Sequence, residues 1–491
     1  MTGTDQAVGA PERLHPWYLV SGLGSSLRQM VGAYIAVGYF AATGSWRTAA
    51  MMLGAISLFV VVGIFLYWRR FEFRVGANEI RIDSGILNRL HRSIPFDRIQ
   101  DVDITQGPLA RLLGLARVRF ETGGSAGAKQ DDGSLDAISL ARAEAIRDQV
   151  RARCGTITVD AEEAAAERAP LFAMDLRRVL LAGVFNFSLA VVAGLAGASQ
   201  TIGNAAGFDP FTRRFWRDAL AAGSPLADFV LAHRVTAALA GMVLLIVVGL
   251  VTGVGRTVLR DYRFRLDRTA TGFRRRRGLV TLTDVTLPLQ RVQAAIIATG
   301  PLRAKFGWRD LKLQSLGKDE GSKGDHVVAP LATTHEVAAI LAELEWRPVD
   351  PTLSWHRVSP AHAWTFTAAM ALLIIPAAVQ LLLVPLLGVA GLVLIAAVIG
   401  ARWLGWRRTR YTLDDDRLLV HSGWWRRRLV ILPLASIQSV DLTENLISRR
   451  FGVASLTIGV ASGRGYSAHG IASLTSEIAG ALRQRLLAKF A

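Results

Sequence analysis

Ile94-Pro95-Phe96-Asp97-Arg98-Ile99-Gln100 returns as Leu287-Pro288-Leu289-Gln290-Arg291-Val292-Gln293, and again as Leu432-Pro433-Leu434-Ala435-Ser436-Ile437-Gln438. The register holds outward without a gap: Gly85, Gly278 and Gly423 align upstream, and Gly114, Gly307 and Gly452 align downstream. A fixed internal repeat outranks local signals, because it means that one unit was copied. The chain carries three copies of one module, and something other than a module fills the intervals.

The intervals are apolar. Of 491 residues, 51% are hydrophobic, and the mean hydropathy is +0.32. Residues 29–46, 48–68, 179–208 and 235–255 carry no charge; neither do 363–401, which are broken by Pro376, Pro385 and Gly388. A span takes about 20 apolar residues, so the last stretch fits two helices and a tight turn near residues 385–391. The expectation is six spans in three hairpins. Arg69-Arg70, Arg177-Arg178, Arg256, Arg260, Arg357, Arg402 and Arg407-Arg408 stand at span ends. This positive-inside pattern predicts that the modules and both termini of a multi-pass membrane protein lie in the cytoplasm.

The predicted order is an N-terminal cytoplasmic tail (1–16), hairpin 1 (17–68), module 1 (69–155), a linker (156–176) and hairpin 2 (177–257), whose external loop spans about 209–234. Module 2 (258–345), a second linker (346–360), hairpin 3 (361–404) and module 3 (405–491) follow. In module 1, residues 71–75, 79–84, 89–96, 101–105 and 116–121 alternate with period two and read as strands. A short strand at 137–140 and a helix at 141–153 close it. The expectation is a curled antiparallel sheet capped by a C-terminal helix, in an α+β membrane protein.

Gly85, Ile94-Pro95-Phe96, Arg98-Ile99-Gln100-Asp101-Val102, Gly107-Pro108-Leu109 and Arg111-Leu112-Leu113-Gly114 resemble the bacterial pleckstrin-homology-like (PH-like) domain of the YdbS/YdbT type. Module 2 keeps Gly300-Pro301 but has Ala294-Ala295 in place of Asp101-Val102. Module 3 keeps Arg449-Arg450-Phe451-Gly452 but has Asn445-Leu446 in place of the Gly-Pro pair. The resemblance implies cytoplasmic PH-like domains anchored by helix pairs, and no established enzyme activity or ligand.

Turn chemistry accounts for much of the repeat. Pro95, Pro288 and Pro433 suit strand ends, where a missing N–H breaks no ladder. Gln100, Gln293 and Gln438 suit backbone groups at the strand exit. Gly114, Gly307 and Gly452 suit helix C′ positions with positive φ. The candidate functional residues are basic: Arg89, His91 and Arg92 in module 1; Arg274, Arg275, Arg276 and Arg277 in module 2; Trp424, Trp425, Arg426, Arg427 and Arg428 in module 3. Arginines beside tryptophans suit contact with an anionic leaflet. The same arginines would also serve to fix topology alone.

Other chemistry is sparse. The nine histidines show no metal-ligand spacing, and the single Cys154 gives no disulfide framework. No catalytic or cofactor residues are expected. Asp101 and Asp103 read as solvated surface. Asp414-Asp415-Asp416 occupies the turn where eukaryotic PH domains hold phosphates, and three aspartates would repel a phosphorylated headgroup. The net charge of +18 belongs to a chain with spans, which points to membrane lipids and away from nucleic acid. The expected function is an inner-membrane scaffold binding lipid or another membrane or cytoplasmic protein, including a smaller member of the same family. Envelope stress or antimicrobial-peptide tolerance is its expected setting. The alternative is a small transporter or export component regulated by its modules.

Overall fold

The computed structural model describes residues 10–22, 37–38, 40, 44–76, 78–85, 90–96, 99–122, 134–153, 169–187, 233–316, 325–346, 349–350, 352–444, 446–462 and 465–487. Most of the expected spans at 29–46 and 179–208, and of the loop at 209–234, lies outside the described residues.

Each module starts before its hairpin. β1 (Glu12–Arg13) pairs with β2 (Glu72–Val75), β8 (Phe172–Ala173) with β9 (Arg265–Arg268), and β15 (His356–Arg357) with β16 (Arg410–Asp414). These short strands fall in the segments read from sequence as the tail and the two linkers. Two residues are too few for alternation to register. Each is followed by a buried apolar residue: Leu14, Met174 or Val358. The chain thus leaves one sheet, runs through a long apolar segment, and re-enters the same sheet at the neighbouring strand.

Among the described residues, four helices are long and apolar enough to cross a membrane: Trp46–Arg70, Leu239–Asp261, Ala361–Leu383 and Leu387–Arg408. The first is α1. The second lies within α5 (Arg234–Asp261), beside α4 (Leu176–Phe185). The third comprises α8 (Ala361–Ala371) and α9 (Ile374–Leu383), and the fourth lies in α10 (Pro385–Arg408). The reversal in hairpin 3 sits at Val384, just ahead of the expected turn. Pro385 opens the next helix, where its missing N–H costs nothing. α4 and α5 meet closely, because a β-carbon on Gly183 would stand 2.6 Å from the Val254 Cα. Asn186 donates to the Thr257 hydroxyl at 3.1 Å.

In module 1, β2, β3 (Glu79–Ser84) and β4 (Leu90–Pro95) form one sheet with β1. β5 (Ile99–Gln106), β6 (Leu115–Thr122) and β7 (Ser134–Ser139) belong to another. The short helix α2 (Pro108–Leu112) links β5 to β6, and α3 (Leu140–Arg153) closes the module. Ala143, Ile146 and Val150 of α3 are buried in one core with Phe73, Ile80, Val118 and Phe120. Their helical spacing is what the sequence supplies.

Modules 2 and 3 repeat the plan. Module 2 has β9, β10 (Gly272–Arg277), β11 (Leu282–Pro288), β12 (Val292–Thr299), α6 (Pro301–Lys305), β13 (Arg309–Ser315), β14 (Asp325–Ala332) and α7 (Thr334–Ala342). Module 3 has β16, β17 (Arg417–Ser422), β18 (Arg427–Pro433), β19 (Ile437–Thr443), α11 (Leu446–Arg450), β20 (Val453–Ser462), β21 (Gly465–Thr475) and α12 (Ser476–Leu487).

The sheets do not stop at module boundaries. β11 of module 2 pairs antiparallel with β5 of module 1, giving a seven-stranded sheet in the order β7-β6-β5-β11-β10-β9-β8. β18 of module 3 pairs with β12 of module 2, giving β14-β13-β12-β18-β17-β16-β15. Apolar packing follows: Leu419 and Ile431 of module 3 join the module 2 core, and Ala294 of module 2 joins the module 3 core. Asp103, expected at a solvated surface, is buried. It lies on β5, which is an interior strand once module 2 has docked.

Two histidines sit at the junction of modules 2 and 3. His469 Nε2 lies 2.8 Å from Gln314 Oε1, and His421 packs on Trp355 with ring centroids 4.7 Å apart. Burial lowers the pKa of both; Arg410 and Arg309 add to the effect at His421, while Asp325 opposes it at His469. The unfolded chain takes up these protons below about pH 6.5, and the folded junction resists them. Their contribution to stability is therefore complete above that pH and falls as pH drops through it. Thermal unfolding of the detergent-solubilised chain should show lower stability at pH 5.5 than at pH 7.5. His469→Gln should flatten that dependence, and an unchanged slope would contradict the assignment.

Candidate functional site

The predicted basic residues do not form one patch. β10 alternates faces, so its four arginines divide. Arg275 and Arg277 are buried; Arg275 donates to the Val327 carbonyl at 3.2 Å, and Arg277 donates to the fully buried Asp261 at 3.3 Å. Arg274 grips Asp284 through two hydrogen bonds of 2.9 and 2.7 Å, and Arg276 reaches the same carboxylate at 3.2 Å. Burial would raise the Asp284 carboxyl, but the Arg274 hydrogen bonds and the nearby guanidiniums outweigh it and lower its pKa. Asp284 stands directly opposite Arg276 across the strand pair. An acidic residue on the next strand, eight positions on from Arg276, was thus the sequence signal that this cluster is internally neutralised.

In module 1, Arg89 lies outside the described residues. His91 is exposed on β4, 2.7 Å from Asp83, and Arg92 is half-buried on the same strand. In module 3, Arg426 crosses to Asp310 of module 2 at 2.7 Å. Arg427 and Arg428 are exposed on β18, and Trp424 and Trp425 are exposed in the turn before it. The triple aspartate also has an internal role: Asp414 and Asp416 pair with the buried Arg417 at 2.7 and 3.3 Å. Among the repeat residues, Gly114, Gly307 and Gly452 have φ of +66°, +73° and +62°. Pro95, Pro288 and Pro433 end strands β4, β11 and β18. Gln293 donates to the Arg291 carbonyl at 3.4 Å; Gln100 lies on β5 and Gln438 on β19.

What the structure does bring together is a set of apolar tips at the ends of the membrane helices. The turn after Gly423 places Trp424 against the end of α10: its carbonyl accepts from Arg408, and its β-carbon lies 3.7 Å from where a β-carbon on Gly405 would stand. The matching turn after Gly278 does the same in module 2. The Leu279 N–H donates to the Leu259 carbonyl of α5 at 3.0 Å, and Leu279 and Val280 are partly exposed. The short helix α6 exposes Leu302 and Phe306, and Phe306 packs on Phe185 of α4 with ring centroids 6.0 Å apart. Arg303 of α6 is buried and donates to Asn186 at 2.8 Å. In module 1, α2 exposes Leu109 and Leu112, and its Arg111 donates to the Leu279 carbonyl of module 2. Module 3 exposes Phe451 just after α11.

Four of these tips combine an exposed apolar side chain with arginine or lysine: Leu112 beside Arg111, Phe306 beside Lys305, Trp425 beside Arg426, and Phe451 beside Arg449 and Arg450. Reading those basic-apolar repeats as turn chemistry alone misses this use. The signal was an apolar residue recurring next to a helix-ending glycine, where a solvated turn has no need of one.

Comparison with known proteins identifies the module. A model of the bacterial PH domain matches residues 27–154, 222–346 and 370–490. The chain belongs to the bacterial PH domain family. The PH domain matches take in span residues as well as sheets. The UPF0699 transmembrane protein YdbT of Bacillus subtilis (strain 168) is 26% identical over 342 residues, covering 64% of this chain and 65% of YdbT. The chain thus spans just under two thirds of that relative's length. The UPF0699 transmembrane protein YdbS of the same organism is 28% identical over 158 residues, 31% of this chain and 93% of YdbS. Bacterial PH modules, antiparallel sheets and apolar helices make this an α+β membrane protein of the YdbS/YdbT type.

Proposed function

We propose that this protein is a non-catalytic scaffold of the bacterial inner membrane that holds three PH modules in one row against the cytoplasmic leaflet. In this reading the row presents apolar and basic tips to anionic lipid, and its outer surfaces to a membrane or cytoplasmic protein. The observation that carries the reading is the contact of the tips with span ends: Trp424 on α10, Leu279 on α5, Phe306 on α4. Tryptophan favours the headgroup level, and each basic group near an anionic surface contributes about 1 kcal/mol.

Topology supports it. β1–β2, β8–β9 and β15–β16 are paired, so each hairpin segment begins and ends on one side of the bilayer. An even number of crossings follows for each. With, among the described residues, one long apolar helix in each of the first two segments and two in the third, six crossings are the smallest solution in this reading. The shared sheets then keep all three modules on that side, and the arginines at span ends favour the cytoplasm.

The test uses full-length chain in nanodiscs, with Cys154→Ser and a single fluorophore-labelled cysteine at Leu279, Phe306 or Trp424. A nitroxide carried at lipid headgroup depth should quench all three, more so as the anionic lipid fraction rises. A label at the exposed Asp415, in the turn at the end of β16 away from α10, serves as the distant control. Equal quenching at tips and control would sink the proposal.

A further inference from the structure

The two junctions between modules are built to one rule. At the first, Leu282, six residues before Pro288, stands opposite Gln106, eleven residues after Pro95. At the second, Arg427, six residues before Pro433, stands opposite Thr299, eleven residues after Pro288. The register is the same although the side chains differ, so backbone geometry and the repeat set it. A one-residue slip would turn every side chain to the wrong face.

The rule leaves two halves over. β4 of module 1 is the equivalent of β11 and β18, and it ends its sheet. β19 of module 3 is the equivalent of β5 and β12, and among the described residues it too ends its sheet. An uncovered edge is a template for another strand. The helices that close modules 1 and 3 differ at these two edges. At the filled first junction, Arg147 of α3 reaches Asp284 on the incoming strand at 3.4 Å. At the same place along α12, Arg483 instead turns back onto β19 and donates to the Val440 carbonyl at 3.3 Å.

We propose that β19 of one molecule pairs with β4 of a second copy of this chain, forming a third junction of the same register and joining molecules head to tail in the membrane. A second copy is the occupant that fits, because each molecule carries one unfilled half of each kind and so supplies what its neighbour lacks. The rule sets Thr443 opposite Leu90, Leu442 opposite His91, Asp441 opposite Arg92 and Val440 opposite Ser93. Opposite charges meet at Asp441 and Arg92, and Leu442, 38% exposed, gains cover. The interface is heterologous, so it closes into a ring or runs on as a filament. It requires only that both copies share one orientation in the bilayer.

The experiment uses full-length chain in native membranes, in a Cys154→Ser background, with two differently tagged copies expressed together. One carries His91→Cys and the other Leu442→Cys; both residues lie on the exposed face, and a short bismaleimide links them. The expected result is a mixed-tag dimer, and a ladder of larger species when both substitutions are on one chain. Pairing His91→Cys with Thr443→Cys, one residue out of register, should abolish the product. As a second measurement free of cysteine placement, Asp441→Arg should dissolve the assembly in detergent, and Arg92→Asp on the same chain should restore it. Four outcomes would overturn the proposal: no mixed-tag product, equal yield from matched and mismatched pairs, closure within one chain, or linkage to a smaller protein in place of a second copy.

Discussion

Gly423→Ala is expected to destabilise module 3 by about 3 kcal/mol, a large share of what holds a domain together. Gly423 has φ of +99°, and a β-carbon there would run into the Arg426 carbonyl oxygen. Gly278 repeats the situation at φ of +117°, facing the Thr281 carbonyl. Neither obstacle is a flexible side-chain end, so the turn has to open. Opening it pulls Trp424 from α10, or Leu279 from α5. Gly452 provides the scale: its φ is +62°, yet nothing lies within 4 Å of a β-carbon placed on it. Gly452→Ala should therefore cost only the left-handed backbone penalty of about 1 kcal/mol. Chemical denaturation of the three variants in detergent, with thermal unfolding as a check, should rank Gly423→Ala and Gly278→Ala well below Gly452→Ala. Equal losses would show that the turn adapts and that the repeated glycine is not a steric requirement.

The contrast between these glycines bears on what a sequence discloses. The repeats and the long apolar segments between them were legible, because each rests on spacing along one chain. Alternation at 79–84 and 116–121 marks strands, and the apolar periodicity of Ala143, Ile146 and Val150 marks a helix face. Pairing between strands far apart is a different kind of information. Alternation tells which face of β5 is apolar and is silent on which strand covers its edge, so the merging of modules was invisible and Asp103 was read as solvated. The Arg274–Arg277 run misled for a related reason. Charge read along one strand looks exposed, whereas Asp284 and Asp261, brought in from β11 and α5, neutralise it in space. The two-residue strands β1, β8 and β15 fall below any periodic signal, although they bring both ends of each apolar segment to one sheet.

Arg178→Ala should loosen hairpin 2 from module 2, with a loss of about 3 kcal/mol, the lower end of the range for breaking a buried ion pair. Arg178 begins α4 and is mostly enclosed. Its guanidinium donates to both carboxylate oxygens of Glu336, and to the Leu331 carbonyl at 2.8 Å. It also lies over the rings of Phe172 and Trp308, 4.8 and 4.9 Å from their centroids. Glu336 completes a capping box with Thr333 at the start of α7, so one carboxylate serves both a helix cap and the tie to the span. Burial would raise the Glu336 carboxyl, but the hydrogen bonds from Arg178 and Thr333 bring it down to about 2. The unfolded chain titrates near 4.3, so this contribution is whole above that pH and disappears as pH falls toward 2. The lower end of the range applies because the Glu336 side chain remains 30% exposed. Arg178→Lys keeps the charge and loses both the two-point grip and the ring stacking, and should recover only a minor part of the loss. Denaturation at pH 7 followed by tryptophan fluorescence should separate wild type, lysine and alanine in that order. In the alanine variant, part of the acid-induced loss between pH 4.3 and 2 should vanish, because less of it remains to be titrated. An alanine variant within about 0.5 kcal/mol of wild type, the ordinary effect of a surface change, would mean that the hairpin and module are held by the buried Val179 and Ala182 of α4 alone.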